Sequence, residues 1–283
     1  MATQRLFGVS THLYHGARLN RNHLLEIGAF GFRWVEIFAT RSHFDYHSPA
    51  AVADLQQWLA EGGVELHSVH APVGEAFSAG RWNTPFSLAS VDRDARSRAV
   101  DETELALQIA RRIPFKVLVT HLGVPRWAPT AAADNSRDAA RRSIEELSAI
   151  AEPLGVKIAV EVIPNELSRA GSLVHFVEDV VDASDIGICL DTGHAQIDGD
   201  VVDAVETVSE HLLAVELHDN NRRTDDHLVP FDGAIDWPSV LTSVQKVGYD
   251  GPMILEISGR GPTKEILSRA RKAREKMERL LAD

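Results

Sequence analysis

A chain of 283 residues with 44% hydrophobic and 25% charged side chains has the composition of an ordinary globular protein. Its net charge of −12 argues against a surface built for a nucleic-acid backbone, which depends on lysine and arginine. One cysteine excludes an internal disulfide, and no apolar run of about 18 residues is present to span a membrane. The N-terminal Met-Ala-Thr-Gln-Arg-Leu-Phe lacks the apolar core of a secretory signal, so a reducing cytoplasm is the expected setting.

Short apolar, β-branched runs alternate with longer amphipathic stretches eight times along the chain. Strands are predicted at Leu6–His12, Arg33–Phe38, Val64–His70, Phe115–His121, Val156–Glu161, Ile186–Asp191, Leu212–His218 and Pro252–Ile257. Lys116-Val-Leu-Val-Thr120 and Leu212-Leu-Ala-Val215 are nearly continuous apolar runs, as parallel strands covered on both faces require. Between the strands, Ser48–Gly62 opens on Ser-Pro and closes on Gly-Gly. In Ser136–Leu154, Ala140, Ile144, Leu147, Ala151 and Leu154 recur at helical spacing, Ser136 is placed to cap, and Gly155 to terminate. A charged helix over Thr263–Leu281 would cover the last strand. The long connection Ala71–Ser90 carries Phe77, Trp82 and Phe86 and reads as a lid or pocket wall. No linker or low-complexity tract breaks the series, and eight βα units in about 250 residues predict one (β/α)₈ barrel over residues 1–283.

Histidine is the unusual count, 13 against three tyrosines and three methionines. Active sites of such barrels lie at the carboxyl ends of the strands. There the sequence sets His12, Glu36, His70, His121, Glu161, Asp191, Glu216 with His218, and Glu256. Residues two apart share a face of a strand, so each of these groups can point inward. Carboxylates converging from several strands repel unless a cation lies among them, which predicts a divalent ion. Cys189, one layer below Asp191, reads as a small buried filler.

Four segments then carry a resemblance: Leu190-Asp-Thr-Gly-His-Ala195, His218-Asp-Asn220, Asp226-His-Leu-Val-Pro-Phe-Asp-Gly-Ala-Ile-Asp-Trp237 and Gly248-Tyr-Asp-Gly-Pro-Met-Ile-Leu-Glu256. They resemble the xylose isomerase-like TIM barrels, a superfamily of sugar-phosphate isomerases, ketose 3-epimerases, inosose dehydratases and endonuclease IV-type AP endonucleases. The resemblance implies one divalent metal held by Glu161, Asp191, Glu256 and a residue of the seventh strand. Relatives reading His-x-His-Asp-Asn use the first histidine, and here Glu216 stands in its place. Either Glu216 ligates, the reading that keeps the family register and is preferred, or His218 takes over. An oxygen-rich set suits Mn²⁺ or Mg²⁺, and imidazole admits Zn²⁺, Co²⁺ or Fe²⁺. His70, His121, His194, Asp225 and His227 are further metal candidates, since endonuclease-type relatives hold three zinc ions.

The implied activity is isomerisation or epimerisation of a sugar or sugar phosphate through a metal-stabilised enediolate, with Glu161 and Glu256 exchanging the proton. His194, His70, His121 and Arg222 would contact the substrate. A dehydratase acting on a cyclitol or keto-sugar, a zinc-dependent phosphodiesterase and a non-catalytic sugar sensor are the rival readings. The expected partner is a small carbohydrate, with no membrane, no nucleic acid and scope for a homo-oligomer.

Overall fold

The computed structural model describes residues 7–78, 81–180, 185–258 and 261–282; Leu6, the expected start of the first strand, lies outside them. Eight parallel strands close into a barrel: β1 (Phe7–Ser10), β2 (Trp34–Phe38), β3 (Glu65–His70), β4 (Val117–Thr120), β5 (Lys157–Glu161), β6 (Ile186–Asp191), β7 (Leu212–Leu217) and β8 (Met253–Leu255). Each pairs with its chain neighbours, and β1 pairs with both β2 and β8. The helices around it are α1 (Arg21–Ala29), α2 (Pro49–Gly62), α3 (Arg93–Leu107), α4 (Arg137–Ala151), α5 (Ala170–Val180), α6 (Thr192–Asp198), α7 (Val201–Thr207), α8 (Trp237–Lys246) and α9 (Thr263–Ala282). None is long and apolar enough to cross a membrane.

Local sequence explains the boundaries. Ser136 Oγ accepts from the Ala139 amide and starts α4. Ala140, Ile144 and Leu147 of that helix are fully buried against the barrel, each large aliphatic contributing roughly 1.5–3 kcal/mol. A short 3₁₀ turn over Glu152–Leu154 follows, and Gly155, at φ +67°, then reverses the chain into β5. Ser48 caps α2 in the same way, and Gly63 ends it in the left-handed region. After β1 the chain departs from expectation. His12 is no strand residue, because the Ser10 side chain caps a 3₁₀ turn over Thr11–Tyr14.

Two cores result. Small side chains fill the barrel interior, with Val117, Val119, Ala159, Cys189 and Ala214 in mutual contact. The larger residues, Trp237, Phe176, Leu107 and Ile144 among them, pack in the layer between strands and helices. Ala159, Cys189 and Ala214 lie two residues before Glu161, Asp191 and Glu216, so those three acids share their inward face. Cys189 is buried, and burial with the acids around it pushes its thiol well above the usual range. The terminal helix α9 reaches the other end of the chain: Arg274 lies 5.1 Å over the Phe32 ring, and Thr263 Oγ1 donates to Glu26 of α1.

Candidate active site

Glu161 ends β5 with no exposed surface and gathers three imidazoles. His70 Nε2 from β3 lies 3.0 Å from Oε2, His121 Nε2 beyond β4 also 3.0 Å, and His194 Nδ1 from α6 lies 2.9 Å from Oε1. Burial alone would raise the Glu161 carboxyl, but His121, His194 and His70 together hold it well below the usual range. His70 places its other nitrogen 2.8 Å from the Ala71 carbonyl, so both ring nitrogens donate. Burial opposes that charge, yet Glu161, Glu256 and Glu36 push His70 up to about 9.

Asp191 ends β6 and caps α6, its Oδ1 accepting from the His194 amide at 2.6 Å. His218, fully buried just past β7, brings Nε2 to 2.9 Å from the same Oδ1, at an angle that makes no hydrogen bond. Asp191 Oδ2 is buried without a partner too. Buried polar atoms are rarely left this way, and a carboxylate and an imidazole converging unpaired fit a divalent cation. Two features seat His218. Its backbone exchanges hydrogen bonds with Thr192 Oγ1, and its ring lies against Gly193, where an added Cβ would stand 1.9 Å from Cε1. The glycine of Asp191-Thr-Gly-His194 therefore makes room for the histidine of the next strand.

Among the described residues, five groups place their ligand atoms within 4.8 Å of one another: His70/His121/Glu161, Glu161/Asp191/His194, Asp191/His218/Glu256, His194/His218/Asp225/His227 and His12/His227/Glu256. Shared members make them one continuous cluster. His194 and His227 both reach Asp225, at 3.2 and 3.3 Å. Burial works against the charge on His227, but Asp225 and Glu256 push it up to about 10. Burial raises Glu256 to about 8, against the pull of His227 and His70.

Glu216, the preferred β7 ligand in the sequence, joins none of these groups. It pairs in register with Asp191 on one side and with Ile254, two residues before Glu256, on the other, so it lies below His218 and Glu256, with both carboxylate oxygens buried and unpartnered. Burial and the facing carboxyl of Glu36 push it well above the usual range. His218, one layer higher on the same face, takes the place beside Asp191 and Glu256. Arg222 is exposed and lines neither cavity of the mouth, so no substrate contact is assigned to it.

Sequence reading missed the hub under the loop after β7. Asp219 accepts from the amides of Asn220, Phe231 and Ile235 and from Trp237 Nε1, at 2.8–3.1 Å. This ties down a loop in which His227 and Phe231 hold φ of 46° and 75°, a strain of about 1–3 kcal/mol each. Asn220 Nδ2 donates to the Gly193 carbonyl and joins this loop to the first turn of α6.

Two cavities open above the cluster. One, of about 510 Å³, reaches from Glu256, His121 and His194 out to Trp82, Phe86 and Trp127. The other, of about 780 Å³, is bounded by His15, His23 and Phe77. His12, Trp82, Asp225 and His227 line both. The long connection after β3 thus supplies pocket wall, with Phe77 and Trp82 paired in a short hairpin.

A closed parallel barrel with carboxylates and imidazoles massed at the carboxyl ends of its strands defines the class. The chain belongs to the xylose isomerase-like TIM barrel family, whose model matches residues 25–282. It is 29% identical to an uncharacterized protein of Methanocaldococcus jannaschii, over 88% of this chain and 83% of that one. It is 25% identical to the D-psicose 3-epimerase of Ruminiclostridium cellulolyticum, over 82% and 75%. The crystal structure of a D-tagatose 3-epimerase-like protein superposes with a TM-score of 0.78 at 27% identity, covering 98% of this chain and 97% of that one. Its relatives in sequence and structure thus include named sugar epimerases and isomerases.

Proposed function

We propose that this protein is a divalent-metal-dependent isomerase or epimerase of a small carbohydrate, with residues 1–283 forming one cytoplasmic catalytic barrel. One observation carries the reading. Glu161 and Glu256, from strands separated by β6 and β7, bracket the unpaired Asp191 Oδ2 and His218 Nε2 beside a cavity of sugar-binding size. The names of the relatives support the same class of substrate.

Glu161, Asp191, His218 and Glu256 would hold the ion, an oxygen-dominated set that suits Mn²⁺, with Co²⁺, Mg²⁺ and Zn²⁺ as alternatives. When bound, the ion supplies Lewis-acid stabilisation of the charge that develops on the sugar oxygens. Glu161, kept ionised by its imidazoles, is ready to accept the proton from the carbon beside the carbonyl. Glu256, poised at about 8, can return one from the other side. His121, His70 and His194 fix the Glu161 carboxylate, and His121 and His194 also face the cavity where sugar oxygens would lie.

The test is exchange in D₂O. With Mn²⁺ supplied, at least one of D-fructose, D-tagatose and a keto-inositol should take up deuterium beside its carbonyl. E161Q and E256Q should each slow the exchange on the order of 10²-fold or more. No exchange in any of them, with any of the four ions, would sink the proposal. A dehydratase would share the exchange step and then lose a hydroxyl, which the same spectra report.

The His70/His121/Glu161 and His194/Asp225/His227 contacts support a second reading, metal-assisted phosphodiester hydrolysis. Neither cavity has a described lysine or arginine in its lining to meet a phosphate backbone. Three tightly held zinc ions and cleavage of abasic DNA would favour it over the isomerase.

A further inference from the structure

The 510 Å³ cavity has two ends of different chemistry. Its inner end is the acid and imidazole cluster; its outer wall carries Trp82, Phe86 and Trp127 together with Thr84 and Thr130. Trp127 is 54% exposed, and with Val91 it is one of two large hydrophobic side chains left so open among the described residues. An indole held in water at the edge of a pocket marks a contact surface. Arg126, 5.8 Å from its ring centre, is tied to Asp198 at 2.7 Å and steadies the platform.

We infer that this outer wall is a subsite for a second, uncharged sugar ring, so that the preferred substrate is a ketose bearing a glycosyl substituent rather than a free monosaccharide. The inference rests on the proposed ketose chemistry at the inner end. Three observations select the occupant. Cavities of roughly 300–1,000 Å³ bury ligands of drug size, and this one lies in that range before its neighbour is counted. No described lysine or arginine lines it, Arg126 beside Trp127 is paired with Asp198, and His70, His194 and His227 already face carboxylates, so an anionic extension finds no unpaired counter-charge in the lining. Aromatic residues beside Asn83, Thr84 and Thr130 suit a pyranose, which has apolar C–H faces and a polar rim.

The experiment uses the Mn²⁺-loaded protein and four sugars: D-fructose and its 3-, 4- and 6-O-glucosyl derivatives turanose, maltulose and isomaltulose. Deuterium exchange gives kcat/KM for each, and calorimetry gives Kd. At least one disaccharide should exceed D-fructose about tenfold in both. W127A should lower that ratio at least fivefold, chiefly through KM, and W127F should restore most of it. D-fructose equalling or surpassing all three disaccharides overturns the subsite. So does a ratio that W127A leaves unchanged, including the case where W127A splits a dimer and thereby assigns the indole to a protein interface. Absence of exchange with every sugar would instead strike the proposed reaction, and the calorimetric ratio would then decide the subsite alone.

Discussion

Asp191 and Glu216 stand opposite each other in the β6–β7 ladder, yet their carboxyls live in different chemistry. Both keep buried oxygens without a partner, one on Asp191 and two on Glu216, but Asp191 is surrounded by the imidazoles of His194 and His218. Glu216 faces another acid, Glu36, whose own carboxyl burial pushes up and which accepts from Ser68 Oγ at 2.8 Å. Burial and the charge of Glu36 favour the protonated form of Glu216, whereas Asp191 has imidazoles for neighbours. The barrel therefore holds an imidazole-lined layer above one in which two acids face each other, both on the same inward face.

The widest separation between the layers should appear in metal affinity. D191N removes a ligand charge and should weaken Mn²⁺ binding on the order of 100-fold or more by calorimetry, whereas E216Q should leave it within about threefold. Equal damage from E216Q would erase the distinction and return Glu216 to the ligand set.

The upper layer should also bind metal in competition with protons. In the metal-free protein, Glu256, His70 and His227 hold protons up to about 8, 9 and 10. Bound metal displaces the proton of Glu256 and its charge disfavours those of His70 and His227, so lowering the pH weakens binding and raising it through this window strengthens it. The expected slope near pH 7 is about tenfold in affinity per pH unit for each proton released, vanishing above the highest of these values. Calorimetry in buffers of different ionisation enthalpy counts the protons, and an affinity flat from pH 6 to 9 would contradict the charge assignment.

G193A gives a smaller and sharper effect. The added Cβ must push the His218 ring aside, which should cost about tenfold in Mn²⁺ affinity with the fold retained by circular dichroism. Unaltered affinity would mean that the seat of His218 does not matter.

Much of this is legible in the sequence because a barrel strand buried on both faces reads as an apolar run, and the polar residue that ends it marks the mouth. Glu161, Asp191 and Glu256 follow from that pattern, as do His70 and His121. The β7 residue does not. Glu216 and His218 lie two apart, and alternation reports the face of a side chain but not its depth. Depth depends on the stagger of the strands and on the space at Gly193, a contact between residues on different strands. His12 was legible as a residue of the mouth but not as part of a turn, since the capping by Ser10 acts against continuation of the strand. Trp127 and Asp219 lie outside the strands, where periodicity gives no signal, and only the closed barrel shows what each one serves.

Crystals grown with Mn²⁺ and measured at the manganese absorption edge would test the separation of the layers most directly. A strong anomalous peak is expected in contact with Asp191 and His218. A peak lodged between Glu36 and Glu216, or none after Mn²⁺, Co²⁺ and Zn²⁺ have each been supplied, would contradict it.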